Sequence, residues 1–158
     1  MSCSEQEVFF KPTGSVILPP FGRGEIEELY KRAGVVYYDN RFLDLFSGLQ
    51  EEEGPEQEIL ILSLVKPIPT LDIFSQLGGE EAALIKLGHF LMLLQGELRR
   101  NLQPHPPISN LAFIRGQDDR VYCVSSYWCV PNKGWGIQVV FLNESRWYPH
   151  DRIVVYKL

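Results

Sequence analysis

The spacing of apolar residues changes several times along this chain. In GEIEELYKRAG, Ile26, Leu29, Tyr30 and Ala33 recur at helical spacing. Glu27–Lys31 and Glu28–Arg32 are i,i+4 pairs in the favourable order, and Gly34 is a natural stop, so a helix over about residues 25–33 is expected. Val35 to Tyr38 is β-branched and aromatic and predicts a short strand. Asp39 or Asn40 can cap a second helix carrying Phe42, Leu43, Leu45, Phe46 and Leu49. ILILSLV, residues 59–65, is apolar at every second position of both faces but one, which places a strand inside a sheet. Thr70 can then cap LDIFSQL, a short helix stopped by Gly78 and Gly79.

Residues 80–102 predict one long helix, opened by acidic residues and closed by Arg99 and Arg100 as the macrodipole prefers. Leu84, Leu87, Leu91, Leu94 and Leu98 make a stripe that Ile85, Phe90, Met92 and Leu93 widen to most of the circumference. Such a helix needs cover on more than one side, from a sheet and a second helix or from another subunit. Residues 103–109, QPHPPIS, are a proline-rich connector. The chain reads as a single α+β domain over 1–158, with a mixed part at 1–102 and a β-rich part at 110–158.

LAFIR, RVYCVSSYWCV and WGIQVVFL predict three strands and IVVYK a fourth. The intervening GQDD and PNKG carry Gly with Asn or Asp, as tight turns require. Placing Val130 opposite Trp135 sets Trp128 against Ile137, Ser126 against Val139 and Val124 against Phe141 on one largely apolar face. Cys129, Tyr127, Ser125 and Cys123 then share a more polar face with Gly136, Gln138, Val140 and Leu142. The expected architecture is an antiparallel β-meander of four or more strands with one long buried helix packed on one face, plus short N-terminal helices and strands.

Charge changes this picture by subtraction. The net charge is −5, and no cluster of Lys and Arg forms the basic face that nucleic acid requires. No apolar run is long enough to cross a bilayer, and MSCSEQEVFF is not a secretion signal. Three cysteines, an odd number, with no leader predict a reducing, cytoplasmic setting. No cofactor and no metal are expected. EEEGPEQE, residues 51–58, lacks the ligand alternation of a calcium loop and reads as solvated. Phosphate-loop, dinucleotide and G-x-S-x-G patterns are missing.

Cys123 and Cys129 lie on one predicted strand, roughly 20 Å apart, too far to bond. The nearest approach to catalytic chemistry is Cys129 as nucleophile with His89 as base, His105 and His150 being the alternatives. Trp128 and Phe141 read as core. Tyr127, Gln138, Trp147 and Tyr148, on the more polar face or in a loop, are the candidate contact residues. The leading expectation is a non-catalytic, cytoplasmic protein-interaction domain acting as a homodimer or with another protein. The alternative is a small-molecule-binding domain with a pocket between sheet and long helix. A further alternative is a cysteine-dependent, hydrolase-like enzyme.

Overall fold

The computed structural model describes residues 8–102, 108–143 and 145–157. Strand β1 (Phe10–Leu18) is bulged between Pro12 and Gly14. Helix α1 (Ile26–Ala33) ends at Gly34, whose φ of 72° supplies the left-handed cap. Strand β2 (Val35–Tyr38) and helix α2 (Asn40–Phe46) follow, and Asp39 caps α2 by accepting a 3.0 Å bond from the Arg41 N–H. A 3-10 turn at Ser47–Glu51 leads to β3 (Gln57–Leu64), β4 (Ile68–Pro69) and α3 (Thr70–Leu77). Three short helices come next: α4 (Glu80–Ala83), α5 (Leu87–Gln95) and α6 (Glu97–Arg100). Strands β5 (Asn110–Arg115), β6 (Val121–Cys129), β7 (Gly134–Val140), β8 (Arg146–Trp147) and β9 (Arg152–Tyr156) complete the order.

Seven strands form one mixed sheet in the order β1-β3-β9-β5-β6-β7-β2, and β4 pairs separately with β8. β9 runs parallel to β5, and β2 runs parallel to β7. The expected antiparallel meander is therefore corrected. β5, β6 and β7 do form one, but β9 slots between β3 and β5 instead of extending it. Its apolar run, Ile153 to Val155, is buried on both faces, as a strand in that position must be.

The single long helix is corrected too, and the reason lies in the sheet. β5 and β9 pair only through Asn110 and Leu111. Beyond that point Leu84 bridges to Phe113, and the Ile85 N–H donates to the Phe113 carbonyl at 2.9 Å. Residues 84–86 are extended and pass between the two strands, from one face of the sheet to the other. Ala83 belongs to the core of the second face, while Ile85 and Leu87 belong to that of the first. A further break falls at Gly96, with φ −108° and ψ −100°. The apolar girth of this segment is thus covered within the chain. Leu87, Leu91, Leu94 and Leu98 are fully buried, each contributing roughly 1.5–3 kcal/mol by transfer.

Helices α1, α2, α5 and α6 cover the first face; α3, α4 and the β4–β8 pair cover the second. The β6–β7 register differs from expectation by two residues: Trp128 faces Trp135, Ser126 faces Ile137 and Val124 faces Val139. A shift of two keeps every side chain on its expected face. Phe141, expected in the core, is exposed, because β7 ends at Val140 before reaching it. No helix among the described residues is long and apolar enough to cross a membrane.

Candidate functional site

Between α1, β2 and α2 lies a cavity of about 380 Å³. Ile26, Phe42 and Phe46, all buried, form its floor, and Tyr30 and Tyr38 form its walls. The rings hold one another apart. Tyr30 stands edge-on to Tyr38 and Phe42, Tyr38 stacks on Phe42 at 6.0 Å, and Phe42 leans on Phe46 at 5.0 Å. Such pairs add to area burial and fix ring orientation. Local sequence explains the arrangement. α1 presents Tyr30 one turn after Ile26, α2 presents Phe42 and Phe46 at i,i+4, and the bulge in β2 turns Tyr38 inward. Exposed Leu43 and the surface pair Glu27–Lys31 line the mouth with Ser47.

Neither tyrosine hydroxyl of this cavity has a hydrogen-bond partner among the described residues. Burial, then the nearby Tyr38 and Glu52, pushes the Tyr30 hydroxyl well above the ordinary tyrosine range. Burial raises Tyr38 as well. Both therefore stay protonated and keep an O–H to donate. Glu52 lies behind Tyr30. Expected in a solvated loop, it instead turns its carboxylate toward the first amides of α5, Leu87 and Gly88, where a helix dipole favours negative charge. Its Oε1 is buried without a partner, and burial raises its pKa.

The structure separates Cys129 from His89. Among the described residues the Cys129 sulfur accepts a 3.4 Å contact from Asn132 Nδ2 and no other, and its strand partner is Gly134. His89 lies fully buried on α5, with Nε2 2.9 Å from the Pro55 carbonyl and Nδ1 2.8 Å from the Tyr156 hydroxyl. A carbonyl only accepts, so Nε2 carries the proton and Nδ1 accepts from Tyr156. The Tyr156 oxygen in turn accepts the Lys86 N–H at 2.8 Å. Burial lowers the His89 pKa and pushes that of Tyr156 up to about 12. Every polar atom of this centre is answered, so it latches the 84–86 crossing to β9 and has no lone pair to spare as a base. Cys123 is fully buried, and burial raises its thiol pKa far from the reactive range.

The candidate contact residues divide. Tyr127 and Gln138 lie half-buried on the second face of the sheet, where the cover of α3 and α4 has ended, with exposed Tyr37 beside Tyr127. The Tyr127 ring lies over Gly136, in the space a Cβ would need. Trp147 is elsewhere. It is only 8% exposed, in the second-face core, and its indole N–H donates to the Thr70 hydroxyl at 2.8 Å. Tyr148 is exposed just beyond it. His105 lies outside the described residues. Among the described residues no three His, Cys, Asp or Glu side chains converge on a metal position.

The cavity residues Tyr30, Tyr38, Phe42 and Phe46 were assigned by spacing to strand or helix faces, not to a site. The available signal is their density: four large rings, with Tyr37, between residues 30 and 46. No family model matches this chain, and no curated protein or solved structure is significantly similar to it.

Proposed function

We propose that this protein binds a small, flat, apolar molecule carrying a hydrogen-bond acceptor, in the cavity between α1, β2 and α2. One observation carries the reading: Tyr30 and Tyr38, whose phenol hydroxyls have no hydrogen-bond partner among the described residues, line a cavity together with the apolar Ile26, Phe42 and Phe46. The volume is within the range of small-molecule sites, and an apolar lining with a few convergent polar groups is their usual composition. The pocket stands on α1 and α2 rather than on the helix that sequence singled out.

Quinoline and naphthalene test this as a pair, because they share a shape and only quinoline has an acceptor nitrogen. Quinoline should bind saturably, shifting ring resonances of Tyr30, Tyr38, Phe42 and Phe46, and Tyr30→Phe should weaken it about threefold to tenfold, one neutral hydrogen bond. Equal affinity for the two probes, or shifts spread over the surface, would remove the hydroxyls from the account.

A second reading, self-association, now rests on the open second face alone, since the apolar helix is covered within the chain. Exposed Tyr37 beside half-buried Tyr127 and Gln138, next to the edge strand β2, supports it. Sedimentation equilibrium tests it: a monomer over a wide concentration range would end it.

A further inference from the structure

A second, polar cavity of about 250 Å³ opens on the first face at the opposite corner, between β1, β3, β9 and α6. Strand register places Ser63, Arg152, Asn110 and Ser126 side by side across β3, β9, β5 and β6. They form a polar row on a face that is otherwise apolar core. Arg152 is only 8% exposed. Its Nε donates to Asn110 Oδ1 at 2.7 Å and its Nη1 to the Asn101 carbonyl at 3.1 Å. Both acceptors are neutral, and no described carboxylate comes within ion-pair distance. Nη2 has no partner among the described residues.

The neighbouring carboxylates are already engaged. Glu97 lines the same cavity, but its Oε2 pairs with Arg100 at 2.8 Å and its Oε1 accepts from Asn101 Nδ2 at 2.9 Å. Asp151 accepts the Ser109 N–H at 3.1 Å and the Tyr148 N–H at 3.0 Å. Glu97 favours the Arg152 charge from across the cavity wall, but no contact ion pair offsets the burial of the guanidinium, and buried charges are paired as a rule. Asn110 Nδ2 and Ser126 Oγ, both buried and unpartnered, extend the unmatched polarity beside Arg152. Thr13, Ser63, Asn101 and His150 complete the polar wall. His150 is held at a φ of 80°, its N–H bonded to the Leu64 carbonyl at 3.0 Å, so its position at the cavity is enforced by the turn.

We propose that this cavity binds the carboxylate of a small organic acid on the guanidinium of Arg152. With Nε and Nη1 engaged, Nη2 is the donor left to make a charge-assisted bond to a carboxylate oxygen. Glu97 in the wall disfavours a doubly charged phosphate beside a single cation. The site is separate from the aromatic cavity, and its failure would leave that reading standing.

The test is a titration with sodium acetate, against sodium chloride at matched ionic strength and against sodium phosphate, followed through the Arg152 Nε–H resonance. The structure predicts a saturable shift with acetate and none with chloride. Replacing Arg152 also removes its bonds to Asn110 and Asn101, so the control is Ser63→Leu, which leaves those bonds in place and fills the cavity from a half-buried strand position. That variant should fold normally and weaken acetate by at least about tenfold, the equivalent of one charge-assisted hydrogen bond. A linear response equal to that of chloride would overturn the proposal. So would saturation by phosphate but not acetate, or full acetate affinity in Ser63→Leu.

Discussion

The two cavities lie on the same face of the same sheet and are built from opposite materials. The one at α1, β2 and α2 uses residues that a core would use, and what marks it is that the rings prop one another apart rather than closing. The one at Arg152 uses groups that a core excludes, and what marks it is a buried guanidinium bonded only to neutral acceptors among the described residues. The His89–Tyr156 centre shows what a buried polar group looks like when it serves the fold. Arg152 and Tyr156 project from the two ends of β9 onto the first face, yet the Tyr156 hydroxyl and both ring nitrogens of His89 are bonded inside the chain. Complete satisfaction distinguishes a latch from a site.

The largest expected effect is in the aromatic cavity. Phe42 touches Tyr30, Tyr38 and Phe46, so Phe42→Ala should cost about 3–5 kcal/mol in urea unfolding and abolish quinoline binding. A cost below about 1 kcal/mol would show that the rings do not support one another, and the first half of the comparison would fail.

The latch comes next. His89→Leu leaves the Pro55 carbonyl and Tyr156 hydroxyl short of a partner and should cost about 1–3 kcal/mol. It should also change the pH dependence. Burial, reinforced by the Lys86 charge, lowers the folded pKa of His89 below the ordinary value of about 6.5. As pH falls through about 6.5 the unfolded chain takes up this proton and the folded chain does not, so stability declines until the folded pKa is reached. Glu52, raised by burial, has the opposite slope: the folded state takes its proton first, and stability gains as pH falls toward the unfolded value. Subtracting the His89→Leu curve from that of the wild type isolates the histidine. A flat difference from about pH 7 to about pH 5 would mean that His89 titrates alike folded and unfolded.

The smallest effect should be at Arg152. Removing a buried cation that makes no contact ion pair relieves its desolvation, offsetting the two hydrogen bonds lost to neutral acceptors. Arg152→Met should therefore stay within about 1 kcal/mol of wild type while losing the acetate response. A loss of about 3 kcal/mol or more would place Arg152 with His89 as a structural group and dissolve the contrast.

Local signals carried much of this fold. The boundaries of α1 and β2, the Asp39 cap, the Gly78 stop and the buried β3 were all legible, and the faces of β6 and β7 held even though their register slipped by two. The break at 84–86 was not, because Leu-Ile-Lys suits helix and strand alike, and the deciding bond is to Phe113 in a distant strand. Strand order was hidden for the same reason: nothing local to IVVY states that it lies parallel to β5. Trp147 looked exposed because its partner, Thr70, comes from the other half of the chain. Both cavities also escaped notice. Tyr30, Phe42 and Phe46 have the spacing of ordinary core residues, and Arg152 falls just before IVVYK, the expected last strand, whereas β9 begins at Arg152 itself.

The aromatic cavity is the account's central claim, and calorimetric titration of quinoline into wild type and Leu43→Trp tests it most directly. Leu43 is exposed at the mouth, so a tryptophan there can block entry without disturbing the buried rings. Saturable heat in the wild type, weakened at least about tenfold in a variant of unchanged stability, is the predicted result. Indistinguishable titrations of the two proteins, or no saturable heat in the wild type, would contradict it.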